Sequence, residues 1–249
     1  MKAIIVAAGM GRRLAPYTDD RPKTLVEING KSILQRQIDA YRAAGIDDII
    51  IVRGYMKELI RVDGARYFDN DRFRENNILA SLFYAESAMD GGFLFSYSDI
   101  VFRPEVVRTA LDTEGDYALV IDRRWHEAYV GRLNHPVEEG EVAKVVGDRV
   151  TLVGKKTMPA DEATGEFIGL ARFSGTAASD MRARYHERKT EYWDKPYGRA
   201  PRMQVAYLTD LLNDLIGTGA IMRPAFIDGG WREIDTVEDL ERAKPVVSW

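Results

Sequence analysis

Hydrophobic positions along the chain fall into two rhythms. Short runs rich in β-branched and aromatic residues, at Ala3–Val6, Asp48–Val52, Phe93–Tyr97 and Tyr117–Ile121, predict buried strands. Between the first two, KSILQRQIDAYRAAG places Leu34, Ile38 and Tyr41 on one helical face, with Ser32 as N-cap and Gly45 as the stop. Strand, helix and strand in that order form a β-α-β unit with parallel strands. NNILASLFYAESA carries Ile78, Leu82, Ala85 and Met89 down one side, and VAYLTDLLNDLIG carries Val205, Leu208, Leu212 and Leu215 before Gly217. Both predict helices. From about Asp122 to Arg172 the helical signal weakens, and VVGDRVTLV predicts a β-hairpin turning at Gly147 and Asp148. The fold class expected is α/β, a doubly wound, mostly parallel, Rossmann-like sheet with an antiparallel insertion in the second half. No repeat, low-complexity tract or linker divides the sequence, so a single domain is expected over residues 1–249.

Composition narrows the chemistry. With 249 residues and 45% hydrophobic content the chain can bury a full core. Thirty-five Lys and Arg against 39 Asp and Glu give a formal charge of −4, so no overall field draws it to nucleic acid or an anionic membrane. The sequence shows no basic leader followed by a long apolar segment and no stretch of membrane-spanning length, and a cytoplasmic location is expected. Zero cysteines exclude thiolate metal sites and cysteine nucleophiles, and His126, His135 and His186 are too scattered for a histidine-rich metal site. Any metal should sit on oxygen ligands.

Local basic charge gathers in VAAGMGRRLAPYTDDRPKTL. The small residues Ala7, Ala8, Gly9 and Gly11 follow a strand and let backbone N–H groups approach a phosphate. Arg13 and Lys23 add fixed positive charge, and Pro22 restricts the segment that carries the lysine. These features suit a triphosphate clamp. An ordinary glycine turn with solvated arginines gives the same pattern of residues. The loop is not a Walker motif, which would end in Gly-Lys-Ser/Thr, and Leu14 replaces the third glycine of a dinucleotide fingerprint.

The spacing of AAGMGRRLAP and RPKTL resembles the nucleotidyltransferases that make nucleoside-diphosphate sugars and related compounds, whose signature is A-A-G-x-G-[ST]-R-L followed by P-K-[AT]-L. Arg12 departs from that pattern, where Ser or Thr is usual. DRFRENNILASLFYA is similar to the N-N-x-x-S-L helix start of choline-phosphate cytidylyltransferases, and YVGRLNHPVEEGEVAKV and GEFIGLARFSG resemble cytidylyltransferases acting on phosphonates such as 2-aminoethylphosphonate. The resemblance implies the nucleotide-diphospho-sugar transferase type of fold, with residues 1 to about 100 as the nucleotide half and the remainder as the acceptor half. It implies CTP as nucleotide, Mg²⁺ as cofactor, and a small phosphorylated or phosphonylated alcohol or amine as acceptor. SYSDIVF places Asp99 as a metal ligand, and WREIDTVEDLERA adds Glu233 and Asp235. Arg13 and Lys23 would be catalytic, and Asn76, Asn77 and Ser81 would join the small-residue loop in binding the nucleotide.

By residue type alone several of these positions have plainer roles: Asp235 can cap the helix after it, Asp99 can be a strand-end turn residue, and the two asparagines can cap or read a base. Glu233 can contact a metal-bound water or a neighbouring cation. For the acceptor, Glu166 suits a primary amine and Arg132 and His135 suit its phosphonate. Trp125, Tyr129, Trp193 and Tyr197 offer aromatic faces for a choline-like headgroup, though core packing is the commoner role for such residues. A sugar-1-phosphate nucleotidyltransferase is the alternative within the family, and a non-catalytic nucleotide-binding subunit a more distant one. RARYHERK is a solvated helix face with no assigned role.

Overall fold

The computed structural model describes all 249 residues. Nine strands form one sheet: β1 (Lys2–Ala7), β2 (Asp48–Arg53), β3 (Arg66–Asp69), β4 (Gly92–Tyr97), β5 (Tyr117–Asp122), β6 (Glu141–Val146), β7 (Arg149–Lys155), β8 (Gly165–Ser174) and β9 (Met222–Ile227). Their spatial order is β3-β2-β1-β4-β8-β5-β9-β7-β6. The first four run parallel, with Ala3 opposite Ile49 on one side and Leu94 on the other. Then β8 inserts antiparallel between β4 and β5, and the β6–β7 hairpin extends the far edge. The start of β8 also pairs with β6 at Glu166 and Val142, so the second half of the sheet curls over its own end.

Strand alternation divides the core. Ile4 and Val6 point into a cluster with the helices Ile78–Leu82, Gly175–Tyr192 and Leu208–Gly217, while Ala3 and Ile5 face Leu34, Ile38, Val106 and Val107 of the helices Ile33–Ala43 and Pro104–Asp112. Helices on both faces make the sheet doubly wound, as the periodicity predicted. Ser32 caps the first helix by accepting from Gln35 N. NNILASLFYAESA departs from its expected continuous helix: α-helix ends at Leu82, and 3₁₀ geometry follows with a kink at Ala85. Val205 lies in a separate turn before the helix Leu208–Gly217. No helix is long and apolar enough to cross a membrane.

Two irregularities shape the end of the sheet. An extra residue between Val150 and Leu152 shifts the hairpin register, so Lys155 lies opposite Glu141 rather than Gly154. Within β8 the register slips between Phe167 and Ala171, around Gly169 at φ 79°. A side chain at Gly169 would meet both a left-handed backbone and the ring of Tyr97. We therefore expect Gly169→Ala to destabilise the protein by about 2 kcal/mol in urea unfolding; an unchanged midpoint would contradict this account of the bulge.

Candidate active site

At the carboxyl ends of β1 and β4, where open α/β sheets place ligands, lies a cleft of about 470 Å³. Its floor is the loop after β1. Ala7, Ala8, Gly9, Gly11, Arg12 and Arg13 all line it, so the glycine-rich segment faces the cleft rather than forming a remote turn. Gly11 has φ 61°, and a Cβ there would lie 2.5 Å from Lys23 Cβ. That close approach packs Lys23 against the loop.

Lys23 is 8% exposed and bridges two carboxylates far away in sequence, Asp99 Oδ2 at 2.9 Å and Asp235 Oδ1 at 2.6 Å. Burial works against its charge, but Asp99 and Asp235 outweigh burial and hold the ammonium above its ordinary range. Asp235 Oδ2 meets Arg13 in an ion pair without an aligned hydrogen bond. Burial opposes the Asp235 charge too, yet the His135 ring, Lys23 and Arg13 together keep that carboxyl well below the usual range.

The acids converge because of a small sheet and a small core. Trp231–Glu233 pairs antiparallel with Ile100–Phe102, and Ile234 N donates to Asp99 O at 2.7 Å. Ile234 then packs with Leu14, Val26, Ile28 and Val101, which ties the Arg13 and Lys23 segment to the same point. Thr236, not Asp235, caps the following helix, by accepting from Asp239 N. The capping role open to Asp235 from sequence is thus taken by its neighbour.

Glu233 Oε2 accepts from Arg132 at 2.9 Å, and Arg132 also donates to Asp239. His135 Nδ1 accepts from Arg132 at 3.0 Å and lies 3.4 Å from Asp235 Oδ2. Arg132 and His135 were expected beside the acceptor. Both instead pack behind the acids, outside the main cleft, because Asp239 and Glu233 neutralise the buried guanidinium there. Asp99, Glu233 and Asp235 supply only oxygen donors, and Asp235 Oδ2 is a buried atom lacking an aligned hydrogen bond. Carboxylate oxygens suit a hard divalent cation such as Mg²⁺; Glu233 and Asp235, with His135 Nδ1, lie within 4.8 Å of one another, while Asp99 meets Asp235 through Lys23.

Asn76, Asn77 and Ser81 line the opposite side. Asn77 occupies the N-cap position without a side-chain cap bond, and Asn76 is held by Asn70 at 2.8 Å, so the capping reading for their side chains falls away.

Residues not singled out from sequence also line the cleft: Phe73 beside the small-residue loop, and Tyr97, Glu141, Lys155 and Tyr207 at its far end. Glu141 accepts from Tyr97 Oη at 2.9 Å, and burial pushes it up to about 7. Lys155 is disfavoured by burial but kept charged by Glu141 and Glu233, and it has no carboxylate within 4.0 Å. A hairpin drawn from sequence without the bulge pairs Glu141 with Gly154, which hides this site. Glu166 does reach the cleft. Its Oε1 accepts from Tyr129 Oη at 2.6 Å, its Oε2 has no partner, and burial pushes it up to about 8.

The four aromatics expected around a choline-like group do not converge. Trp125 and Tyr129 pack edge-to-face against each other and against Val142 in a buried cluster off the cleft. Trp193 lines a separate cavity of about 340 Å³, and Tyr197 is buried and bonded to Asp214 at 3.0 Å.

A doubly wound sheet with a small-residue loop, converging acids and buried cations at its strand ends defines a nucleotide-handling α/β protein. Comparison with known families makes that specific: residues 3–154 match the MobA-like NTP transferase domain. The chain belongs to this family and is a nucleotidyltransferase. It is 32% identical to the CTP:phosphoglutamine cytidylyltransferase of Campylobacter jejuni over 97% of this chain and 98% of that one. Over 41% of its length it is 35% identical to the 2-aminoethylphosphonate cytidylyltransferase of Lancefieldella rimae, covering 44% of that protein. The solved CTP:phosphocholine cytidylyltransferase of Streptococcus pneumoniae shares the fold, with TM-score 0.72, 21% identity and 99% coverage of both chains. The expected nucleotide-diphospho-sugar transferase type of fold is therefore the one observed.

Two stability tests follow from this geometry. Lys23→Met leaves two carboxylates facing each other without their cation and should cost about 3 kcal/mol, measured by urea unfolding. Glu166 has a folded value above its unfolded one, so its contribution is complete at low pH and is lost as pH rises from about 4.5 to about 8. Glu166→Gln should melt several degrees above the parent at about pH 8.5 and level with it at about pH 5; equal melting at both would show that the buried carboxylate carries no such penalty.

Proposed function

We propose that this protein transfers the cytidylyl group of CTP to a phosphate or phosphonate oxygen of a small alcohol or amine, with release of pyrophosphate. The full-length likeness to a CTP-dependent enzyme carries this reading. The cleft supports it. Backbone groups of Ala7 to Gly11, with Arg13, receive the triphosphate, and Asn76, Asn77 and Ser81 stand where a base can be read. Lys155, charged and without an ion-pair partner, faces the acceptor's anionic group. Two relatives are named for acceptors, phosphoglutamine and 2-aminoethylphosphonate, that carry phosphorus on a small nitrogen-bearing skeleton.

An ionised acceptor oxygen attacks the α-phosphorus, a new P–O bond forms, and the bond to the β-phosphate breaks with its electrons leaving on pyrophosphate. No proton has to move, so no general base is needed. The protein's work is alignment and neutralisation of charge. Asp99, Asp235 and Glu233 would hold Mg²⁺, which when bound neutralises phosphate charge and orients the leaving group. Lys23, held beside the small-residue loop by Asp99 and Asp235, would supply positive charge next to the phosphates.

Pyrophosphate release, assayed over four nucleotides crossed with phosphoethanolamine, phosphocholine, 2-aminoethylphosphonate, phosphoglutamine and glucose-1-phosphate, tests the reading. CTP with a small acceptor should give the highest kcat/KM, and chelation should abolish turnover until Mg²⁺ is restored. UTP or dTTP with glucose-1-phosphate outperforming every CTP pair would transfer the protein to the sugar branch. Lys23→Ala, assayed where it remains folded, should lower kcat on the order of 10²-fold. A rise in KM alone would reduce Lys23 to a binding residue.

A further inference from the structure

The chemical class of the acceptor can be narrowed, on the footing of the cytidylyl-transfer reading. Glu166 is 4% exposed and lines the cleft, yet no cation of the protein pairs with it. Oε1 is occupied by the Tyr129 hydroxyl and Oε2 accepts nothing. Arg132, the nearby guanidinium, is already committed to Glu233 and Asp239. Glu141 is buried at the same end of the cleft with a hydrogen bond from Tyr97 and no ion pair, although Lys155 stands opposite it on the neighbouring strand. A buried carboxylate oxygen without a donor costs free energy in the empty protein, and a donor brought by the ligand removes that cost.

A cation suits the acidic end that Glu166 forms with Glu141, and it must carry an N–H, because Glu166 Oε2 lacks a hydrogen-bond donor. A quaternary ammonium meets only the first condition. It is held instead by aromatic faces, and Trp125, Tyr129, Trp193 and Tyr197 do not come together here. We propose that the acceptor bears a primary ammonium group that donates to Glu166 Oε2, with Glu141 adding negative potential, so that the enzyme selects phosphorylated or phosphonylated primary amines. Glu166 is then the residue that sets specificity at the end of the acceptor away from its phosphorus.

Matched acceptors test this with the unaltered enzyme. Phosphoethanolamine, phosphocholine and ethyl phosphate differ only at nitrogen, and phosphoglutamine differs from N-phosphoglutaramic acid only by its amino group. With CTP, at least one ammonium-bearing member should exceed its methylated or nitrogen-free partner by about tenfold or more in kcat/KM. Glu166→Gln should shrink that ratio to about twofold, through KM rather than kcat, while Glu166→Asp retains part of it; melting curves confirm that the variants are folded. Turnover of phosphocholine or ethyl phosphate at least equal to that of phosphoethanolamine, with no amino preference in the glutamine pair, overturns the ammonium site and leaves cytidylyl transfer intact. So does a preference that survives in Glu166→Gln. Absence of CTP turnover across the whole panel overturns both readings.

Discussion

The contact of Lys23 with Asp99 and Asp235 is the point on which the candidate site turns. Three segments that the chain separates by most of its length meet on one buried ammonium. Two acids this close repel strongly in a low-dielectric setting unless a cation stands between them. Lys23 is that cation in the free protein, with Arg13 on the outer oxygen of Asp235 and Arg132 on Glu233. Four acids, Asp99, Glu233, Asp235 and Asp239, thus share three basic side chains, Arg132 serving both Glu233 and Asp239. A divalent ion drawing Asp99 together with Asp235 would compete with Lys23 for both carboxylates.

The other end of the cleft depends on how the sheet is deformed. Parallel strands bring β1 and β4 side by side and open one edge toward ligands, but they supply only half the wall. Antiparallel β8 and the β6–β7 hairpin supply the rest. The bulge near Thr151 sets Lys155 opposite Glu141, and the slip around Gly169 lets Tyr97 fit against β8 while its hydroxyl holds Glu141. Local irregularity in the strands is thus what brings titratable side chains to a surface that regular pleating would have lined differently.

Much of this was legible in the sequence, for identifiable reasons. Helix and strand periods reported the layered α/β core, and Ser32, Gly45 and the Gly147-Asp148 turn marked boundaries through local chemistry that tertiary packing leaves unchanged. The loop residues, Lys23 and the three acids were found because motif spacing carries them. Arg132 and His135 were misplaced because a loop charge says nothing of which acid it will meet, and Asp239, in the helix after Asp235, was the partner that decided it. The aromatic residues failed as a cage for a similar reason: composition gives their number, while direction comes from packing. Glu141 and Lys155 were missed since a single extra residue in a strand shifts its register and leaves no compositional trace.

The two ends of the cleft show opposite electrostatic designs. At the Lys23 end, acids and cations are paired within the protein. At the other end Glu166 and Glu141 are buried with no cation in ion-pair contact, and Lys155, half-buried opposite Glu141, has no carboxylate within 4.0 Å. Stability alone would select against such an arrangement, because burial raises the cost of each unpaired charge and apolar residues of similar size would pack there without it. Both acids answer by binding protons more tightly than an exposed carboxylate would, which leaves them poised near neutrality. A small ligand with a cationic end and an anionic end would satisfy both kinds of unpaired group in a single pose, and the charge pattern would then fix which way round it lies. Its phosphorus would be held near Lys155 and the nucleotide, with its nitrogen directed toward Glu166.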